Sequence, residues 1–205
     1  MLCIPFREVI SLRKKIILFV CLFFLLFAIF FVACRGQRPA DETILELRER
    51  FLGTEQSFTA ELIADYGTYI HQFTLSFCSA GRRLSVLQPE ILAGIDISIS
   101  ESGTMIHFDG TQVDTGPITQ DGLTPLAALP IIHHQWQEGH ITAAFYETFS
   151  GLETLVMQTA VTDTVAHITW FDAETFIPIK STLLEGGTSV ITVFFEGSPL
   201  FGQNA

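Results

Sequence analysis

A basic and then strongly apolar segment at the start of the chain limits where a globular domain can form. Arg13-Lys14-Lys15 precedes 18 consecutive apolar residues, Ile16 to Ala33, and the chain turns polar after Cys34. A charged start, an apolar core and a small residue at the boundary are typical of an export signal. As a helix rising about 1.5 Å per residue, the run would span about 27 Å, near the lower limit for a bilayer. We therefore expect the folded domain to lie after residue 33.

The boundary itself resembles the lipobox of bacterial lipoproteins, carried by Phe31-Val32-Ala33-Cys34. The resemblance implies a diacylglyceryl group on the Cys34 thiol, cleavage of residues 1–33 as a signal peptide, and a lipidated tether over 34–40. An uncleaved transmembrane anchor over 16–33 is the alternative. Because the basic residues precede the apolar run, both interpretations place the rest of the chain at the outer face of a bacterial membrane. The protein is then either lipid-anchored or single-pass.

Removing the leader makes the remaining chain strongly acidic. The whole sequence has 11 Lys+Arg and 22 Asp+Glu, and residues 1–33 contain four of the basic residues and only Glu8 of the acidic ones. The rest therefore has 7 basic and 21 acidic residues, a net charge of −14. Nucleic-acid binding depends on cationic contacts to phosphate, so we expect no nucleic-acid partner. Membrane contact is expected through Cys34 or the apolar run alone.

The sequence contains too few cysteines after the leader for several disulfides or a cysteine metal site. Cys3 and Cys21 lie in the leader, and Cys78 is the only cysteine after Cys34. Lipidation of Cys34 excludes an internal disulfide, whereas a Cys34–Cys78 pair is open only without lipidation. We expect Cys78 to pack as a small apolar residue.

The exported part contains none of the common catalytic or metal-binding motifs, such as G-x-S-x-G, H-E-x-x-H or a phosphate loop. His133, His134 and His140 are the best metal candidates, but Gly139 is expected to end their helix before His140. We interpret them as solvated or edge-of-core histidines. Of the other titratable candidates, His71 and His167 are expected on strands at the edge of the core, and Asp172 and Glu174 in a turn. The sequence therefore predicts no enzyme activity, no metal and no cofactor.

The first element after the leader is predicted to be a helix over about 42–52, capped by Asp41. Ile44, Leu47 and Phe51 form its apolar stripe, and Gly53 suits its end.

From Phe58 onward the apolar pattern has a period of two, which indicates strands. Ile95, Ile97 and Ile99 alternate with polar residues, for example, and Asp109-Gly110 is a strong hairpin signal. We expect ten or eleven short strands, mostly joined as a meander, with about six before residue 122. The later strands are predicted over 141–149, 152–161, 164–172, 178–184 and 189–196.

A helical pattern interrupts the strands between Gly122 and Gly139. Thr124 can cap this segment, and Pro125 suits its first position. Pro130 cannot donate a backbone hydrogen bond, so we predict a helix over 125–129, a kink, and a second piece over 131–138. The order of elements favours a mainly β (α+β) fold: a curved antiparallel half-barrel over 41–196, covered by the N-terminal helix and the kinked inserted helix. Residues 197–205 are expected to form a flexible tail.

At this point the chain resembles the LolA/LolB-like superfamily of exported bacterial proteins. Leu87-Gln88-Pro89-Glu90-Ile91-Leu92 leads into an Ile-rich strand, Phe108-Asp109-Gly110 follows on a hairpin, and Trp170-Phe171-Asp172-Ala173-Glu174-Thr175 is followed by Pro178. The resemblance implies a hydrophobic cavity for acyl chains under the helices. The residues we expect to line it are Phe73, Leu75, Phe77, Ile97, Phe108, Trp136 and Trp170.

Two functional hypotheses follow. The first is a membrane-anchored lipoprotein that binds an apolar ligand, such as a lipid or the acyl chain of a lipoprotein, with the segment around Pro130 as a lid. The second is an envelope sensor or protein-interaction module with a filled core and an acidic surface. Period-two patterns do not distinguish a filled sheet face from a hollow one.

Overall fold

The computed structural model describes residues 39–52, 55–100, 102–117 and 121–197. Helix α1 covers Ala40–Leu52 and helix α2 covers Pro125–Glu138, with a short 3-10 helix at Glu90–Leu92. The strands are β1 Ser57–Asp65, β2 Ile70–Cys78, β3 Arg83–Gln88, β4 Asp96–Ser100, β5 Gly103–Phe108, β6 Thr111–Gly116, β7 His140–Phe149, β8 Leu152–Ala160, β9 Val165–Asp172, β10 Pro178–Glu185 and β11 Thr188–Phe195.

These strands form one open antiparallel sheet of 11 strands, in the order β6-β5-β4-β3-β2-β1-β11-β10-β9-β8-β7. Two meanders, β1 to β6 and β7 to β11, meet where β1 pairs with β11. Strands β6 and β7 are the two edges, and α2 connects them along the chain. The chain segment that contains α2 therefore connects the two edges of the sheet. The mainly β half-barrel with two helices is confirmed, as is the division into six strands before α2 and five after it.

The predicted hairpin at Asp109-Gly110 is present between β5 and β6. Asp109 has a φ of 46° and Gly110 a φ of 75°. Positive φ at both central residues is what a two-residue type I′ turn requires, and it matches the right-handed twist of the strands.

One face of the sheet, which we call the inner face, carries most of the apolar core. The registers place Ala60 opposite Leu75 and Phe195, and Leu62 opposite Phe73 and Val193. Because side chains alternate between faces along a strand, these residues share one side. The inner-face residues with at most 2% exposure include Ala60, Leu62, Leu75, Phe77, Ile97, Leu155, Met157, Phe171, Leu183, Ile191 and Val193.

Helix α1 packs its predicted stripe into this core. Ile44, Leu47 and Phe51 are buried, as expected from their spacing. The Tyr146 hydroxyl of β7 donates a hydrogen bond of 2.9 Å to Thr43 at the start of α1. The helix is thus fixed to the β7 edge of the sheet.

The inserted segment differs from its prediction in one respect. It forms one helix, α2, with Pro130 inside it, rather than two pieces separated at Pro130. Pro130 removes one backbone donor, but the helix continues because Leu129 and Ile132 on either side are fully buried. Packing of this apolar face therefore outweighs the missing hydrogen bond. Thr124 and Pro125 occupy the predicted cap and first position.

The predicted signal over 1–33 and the lipidation site Cys34 lie outside the described residues, as do positions 198–205 of the predicted tail. Cys78 is a half-buried free thiol.

Within the ranges that the structure describes, no helix is long and apolar enough to span a membrane.

Candidate ligand-binding cleft

Trp136 of α2 fills the centre of the inner face. Its side chain is fully buried. Its ring centroid lies 5.1 Å from that of Phe51, 5.6 Å from that of Phe171 and 5.4 Å from that of Phe195. Tilted and edge-on rings at such distances are favourable packing arrangements. The middle of the half-barrel is therefore solid core.

A buried polar network lies directly against Trp136. The Thr169 hydroxyl is 2.9 Å from the Trp136 indole nitrogen, 2.7 Å from His167 Nε2 and 2.6 Å from the Ser181 hydroxyl. His167 Nδ1 is 3.1 Å from the Thr159 hydroxyl, so both ring nitrogens have partners. Complete burial lowers the pKa of His167 to about 3. The imidazole is thus neutral at physiological pH and has a structural role.

An open cleft of about 980 Å³ lies beside this core, between α2 and the turn that joins β2 to β3. The turn is held by two contacts to Gln56: the Ser79 amide donates to the Gln56 carbonyl, and the Gln56 amide donates to the Ser79 hydroxyl, both at 2.8 Å. The end of β4 and the β8–β9 turn contribute Ile99 and Val161. The cleft is thus lined by a helix on one side and strand ends on the other.

The lining combines two kinds of side chain. Its apolar members are Leu52, Phe77, Ala80, Ile99, Pro117, Pro130, Ile131 and Val161. Its polar members are Glu55, Ser79, Arg82, Ser100, His133, His134, Gln135 and Gln137. A cleft with apolar and polar lining suits an amphiphilic ligand better than a purely apolar one, because polar lining atoms need partners.

Two polar lining residues, His133 and Gln135, have a buried side-chain atom without a hydrogen-bond partner among the described residues, and His133 is the titratable one. It is 7% exposed, and its ring centroid lies 5.5 Å from that of Phe77. Its Nε2 atom is buried and has no hydrogen-bond partner among the described residues. Burial, with smaller effects of His134 and Arg82, lowers the pKa of His133 to about 4. The imidazole is thus neutral near pH 7 and lacks the partner that a buried polar atom normally has.

Arg82 supplies a cation on the opposite wall. It is exposed and has a φ of 46°, and its amide donates to the Ser79 carbonyl at 3.1 Å. Its carbonyl accepts from the Ile99 amide at 2.9 Å. The turn and the start of the β3–β4 pairing therefore fix the backbone of Arg82 at the cleft.

The structure distributes the predicted cavity residues over several environments. Phe77 lines the cleft. Leu75, Ile97 and Trp136 are fully or almost fully buried in the core, and Phe73 is half-buried on the inner face. Phe108 is 47% exposed beside the β5–β6 turn.

Trp170 lies on the outer face of the sheet, because its neighbours Thr169 and Phe171 point inward. Its indole N–H donates to Glu147. Lys180 Nζ lies 5.0 Å from the Trp170 ring centroid, 5.4 Å from that of Phe149 and 5.9 Å from that of Phe194. Burial lowers the pKa of Lys180. These residues form an outer aromatic cluster remote from the inner face.

The other titratable candidates occupy ordinary positions. Asp172 accepts hydrogen bonds from the Thr175 amide and hydroxyl, both at 2.8 Å, and from the Glu174 amide at 3.1 Å. Burial raises the pKa of Asp172, but these hydrogen bonds outweigh it, so the pKa lies below its ordinary value. Over the described ranges, His, Cys, Asp and Glu form no group of three that could hold a metal ion.

The sequence pattern did not predict the polar wall of the cleft, formed by Arg82 and His133. Arg82 looks like an ordinary turn residue, and His133 was interpreted as an edge-of-core histidine. Their approach depends on how α2 packs against the β2–β3 turn, for which the sequence contains no local signal. The histidine pair His133-His134 on a mainly apolar helix was the only available pointer.

No family model matches the chain, and no curated protein matches it. Among solved structures, it is similar to the lipoprotein LppX of Mycobacterium tuberculosis, with 10% identity over 78% of this chain and 95% of that chain and a TM-score of 0.43. A LolA superfamily protein of Nitrosomonas europaea has 8% identity over 76% of this chain and 90% of that chain, with a TM-score of 0.41. A chain in the complex of the CwlD amidase with the GerS lipoprotein of Clostridioides difficile has 16% identity over 79% of this chain and 96% of that chain, with a TM-score of 0.42. These similarities concern the fold alone.

Proposed function

We propose that this chain is an exported, membrane-anchored lipoprotein without enzyme activity that binds the acyl chain of a lipid or lipoprotein. The observation that carries the proposal is the cleft of about 980 Å³ between α2 and the β2–β3 turn. Ligand pockets typically enclose about 300–1,000 Å³. The leader and Cys34 support anchoring at the outer face of a membrane.

Apolar burial is the expected source of affinity. Ile99 and Ile131 line the cleft and are half-buried, so their exposed surface would exchange water for methylene groups, and the buried Phe77 backs this wall. Each Å² of apolar surface removed from water contributes about 25 cal/mol. The ligand would lie beside the filled core around Trp136 rather than within it.

Helix α2 is the proposed lid. Pro130 both lines the cleft and lies inside the helix, where it removes one backbone hydrogen bond. Outward movement of this part of α2 would widen the cleft for uptake and release. Replacing Pro130 by Ala should slow both rates, and unchanged rates would remove the lid from the proposal.

A second function is favoured by the solid packing around Trp136. With its inner face filled, the sheet could instead serve as an interaction or sensor module whose acidic surface binds a basic envelope partner. Such binding would weaken as salt rises, because exposed charge pairs are screened beyond about 8–10 Å. Burial of an acyl chain against the apolar part of the cleft lining would change little with salt.

Intact-mass analysis of the full chain extracted from membranes tests the proposal. Loss of residues 1–33, added diacylglyceryl mass on Cys34 and a stoichiometric co-extracted lipid are the expected results.

Ala80→Trp should reduce the co-extracted lipid, because Ala80 lines the cleft. Ala166→Trp is the matched control on an exposed position of β9 and should leave the lipid unchanged. A lipidated protein without any bound lipid would favour the interaction module.

A further inference from the structure

The polar side chains of the cleft lining indicate which kind of head group the ligand carries. The lining combines an arginine on a fixed turn with a buried imidazole nitrogen that has no hydrogen-bond partner in the part of the chain that the structure describes, while Phe77, Ile99 and Ile131 provide the apolar wall. We propose that the ligand is an anionic amphiphile whose carboxylate or phosphate head binds between Arg82 and His133. This inference rests on the proposed acyl-binding function.

The imidazole of His133 provides the first argument. A buried polar atom without a hydrogen bond costs about 1–3 kcal/mol, and such atoms are rare in folded proteins. His133 Nε2 is in this state although the residue lines an open cleft. The neutral imidazole can carry its proton on Nε2, and we expect a small movement of the ring or of α2 to let it donate to an acceptor in the cleft. An oxygen of a bound head group would satisfy this atom.

The second argument is the positive charge of Arg82. A guanidinium offers several donors in a planar fork that matches carboxylate and phosphate oxygens. Arg82 and His133 both line the cleft, and we expect one head group to contact both side chains. The Arg82 amide donates to the Ser79 carbonyl and the Arg82 carbonyl accepts from the Ile99 amide, so the backbone of this lining residue is held in place.

The cleft lining contains two other titratable residues, His134 and Glu55. His134 is exposed on α2, and Glu55 is exposed before β1. Glu55 and the acidic surface of the domain would oppose an anion. The head must therefore bind close to Arg82, where a direct contact outweighs charges screened by solvent and salt. The acyl chain would extend from there along Phe77 and Ile99.

Native mass spectrometry of the full chain in nonionic detergent tests this assignment. Three probes share one acyl chain: palmitate, 1-palmitoyl lysophosphatidic acid and uncharged methyl palmitate. We expect at least one of the two anionic probes to bind about tenfold more tightly than methyl palmitate, since charge-assisted hydrogen bonds are the strong ones. Binding of palmitate alone identifies a carboxylate head, binding of the lysolipid alone identifies a phosphate head, and binding of both supports the shared chemistry.

Two variants give the matched comparison. Arg82→Gln should reduce anionic-probe affinity about tenfold, whereas Arg83→Gln, which removes the neighbouring exposed cation outside the cleft lining, should leave it unchanged. Equal binding of palmitate, lysolipid and methyl palmitate overturns the head-group assignment while leaving the acyl cleft intact. Failure of all three probes to bind overturns the proposed function itself. The probe comparison on the unaltered chain decides the question even if a variant folds poorly.

Discussion

The indole N–H of Trp136 donates a hydrogen bond of 2.9 Å to the hydroxyl of Thr169, and this contact joins the inserted helix to the middle of the sheet. Thr169 in turn contacts His167 and Ser181. The helix is therefore fixed by a directional polar contact as well as by apolar packing. A buried network with every member satisfied specifies one arrangement of the core.

Replacing Trp136 by Phe should destabilise the protein by about 1–3 kcal/mol. The change removes the hydrogen bond to Thr169 and leaves a cavity among fully buried side chains. Urea unfolding of the full chain in nonionic detergent, followed by circular dichroism, measures the loss.

Trp170→Phe is the control for this change. Trp170 lies on the outer face, where its indole bonds to the exposed residue Glu147. We expect a smaller loss than for Trp136→Phe. A larger loss for Trp170→Phe would contradict the placement of the core around Trp136.

Stability should fall as the pH drops below about 6.5. The pKa of His167 is about 3 in the folded protein, against about 6.5 in the unfolded chain. Between these values the unfolded chain binds more protons, so lowering the pH favours unfolding by up to about 1.4 kcal/mol per pH unit for this residue. The stabilisation is fully present above pH 6.5 and is lost as the pH falls toward 3. Urea unfolding at pH 7 and pH 5 measures the slope.

His167→Gln should reduce this pH dependence, because one of the two buried imidazoles with a lowered pKa, His167 and His133, is removed. His140→Gln is the control, since His140 is an exposed residue of β7. An identical slope in all three proteins would show that the imidazole of His167 is not a titrating group.

Lys180→Gln should destabilise the outer aromatic cluster by about 0.5–2 kcal/mol. The ammonium lies within 6 Å of three ring centroids, those of Phe149, Trp170 and Phe194. Loss of these cation–π contacts is expected to outweigh the relief of partial desolvation. Thermal unfolding compares the variant with Lys180→Arg, which keeps the charge over the rings and should lose less. Equal losses for both would contradict a cation–π role.

Gly139→Ala should destabilise the end of α2 by about 1–3 kcal/mol through overpacking. An added Cβ would lie 2.7 Å from the Gln135 carbonyl oxygen and 2.9 Å from the Gln135 Cα atom, both backbone atoms. Gly110→Ala is a useful comparison, because its Cβ meets open space and its cost comes only from a φ of 75°. Thermal unfolding of both variants measures the difference, and a smaller loss for Gly139→Ala would contradict the close packing seen there.

Much of the fold could be predicted because its signals are local. The stripe Ile44, Leu47 and Phe51 predicted α1, and Asp109-Gly110 predicted a hairpin whose φ values agree. Alternation predicted the five later strands to within one residue at their ends. The break at Pro130 was wrong because tertiary packing of Leu129 and Ile132 overrides a local propensity.

The site could be predicted only in part, because it depends on long-range packing. Alternation places Trp170 in a strand but does not say which face is covered by helices. Trp136 was expected to line a cavity, whereas its ring fills the inner face. Arg82 and His133 are 51 positions apart in the numbering, and only the docking of α2 on the β2–β3 turn brings them to one cleft.

Photo-crosslinking with a diazirine-bearing palmitate tests the central claim most directly. The full chain in nonionic detergent is irradiated with the probe, and the adducts are mapped by peptide mass spectrometry. The acyl-cleft account predicts adducts on peptides that contain Phe77, Ile99 or Ile131, with competition by unlabelled palmitate. Adducts confined to the outer face around Phe149 and Trp170, or no saturable adducts among the described residues, would contradict it.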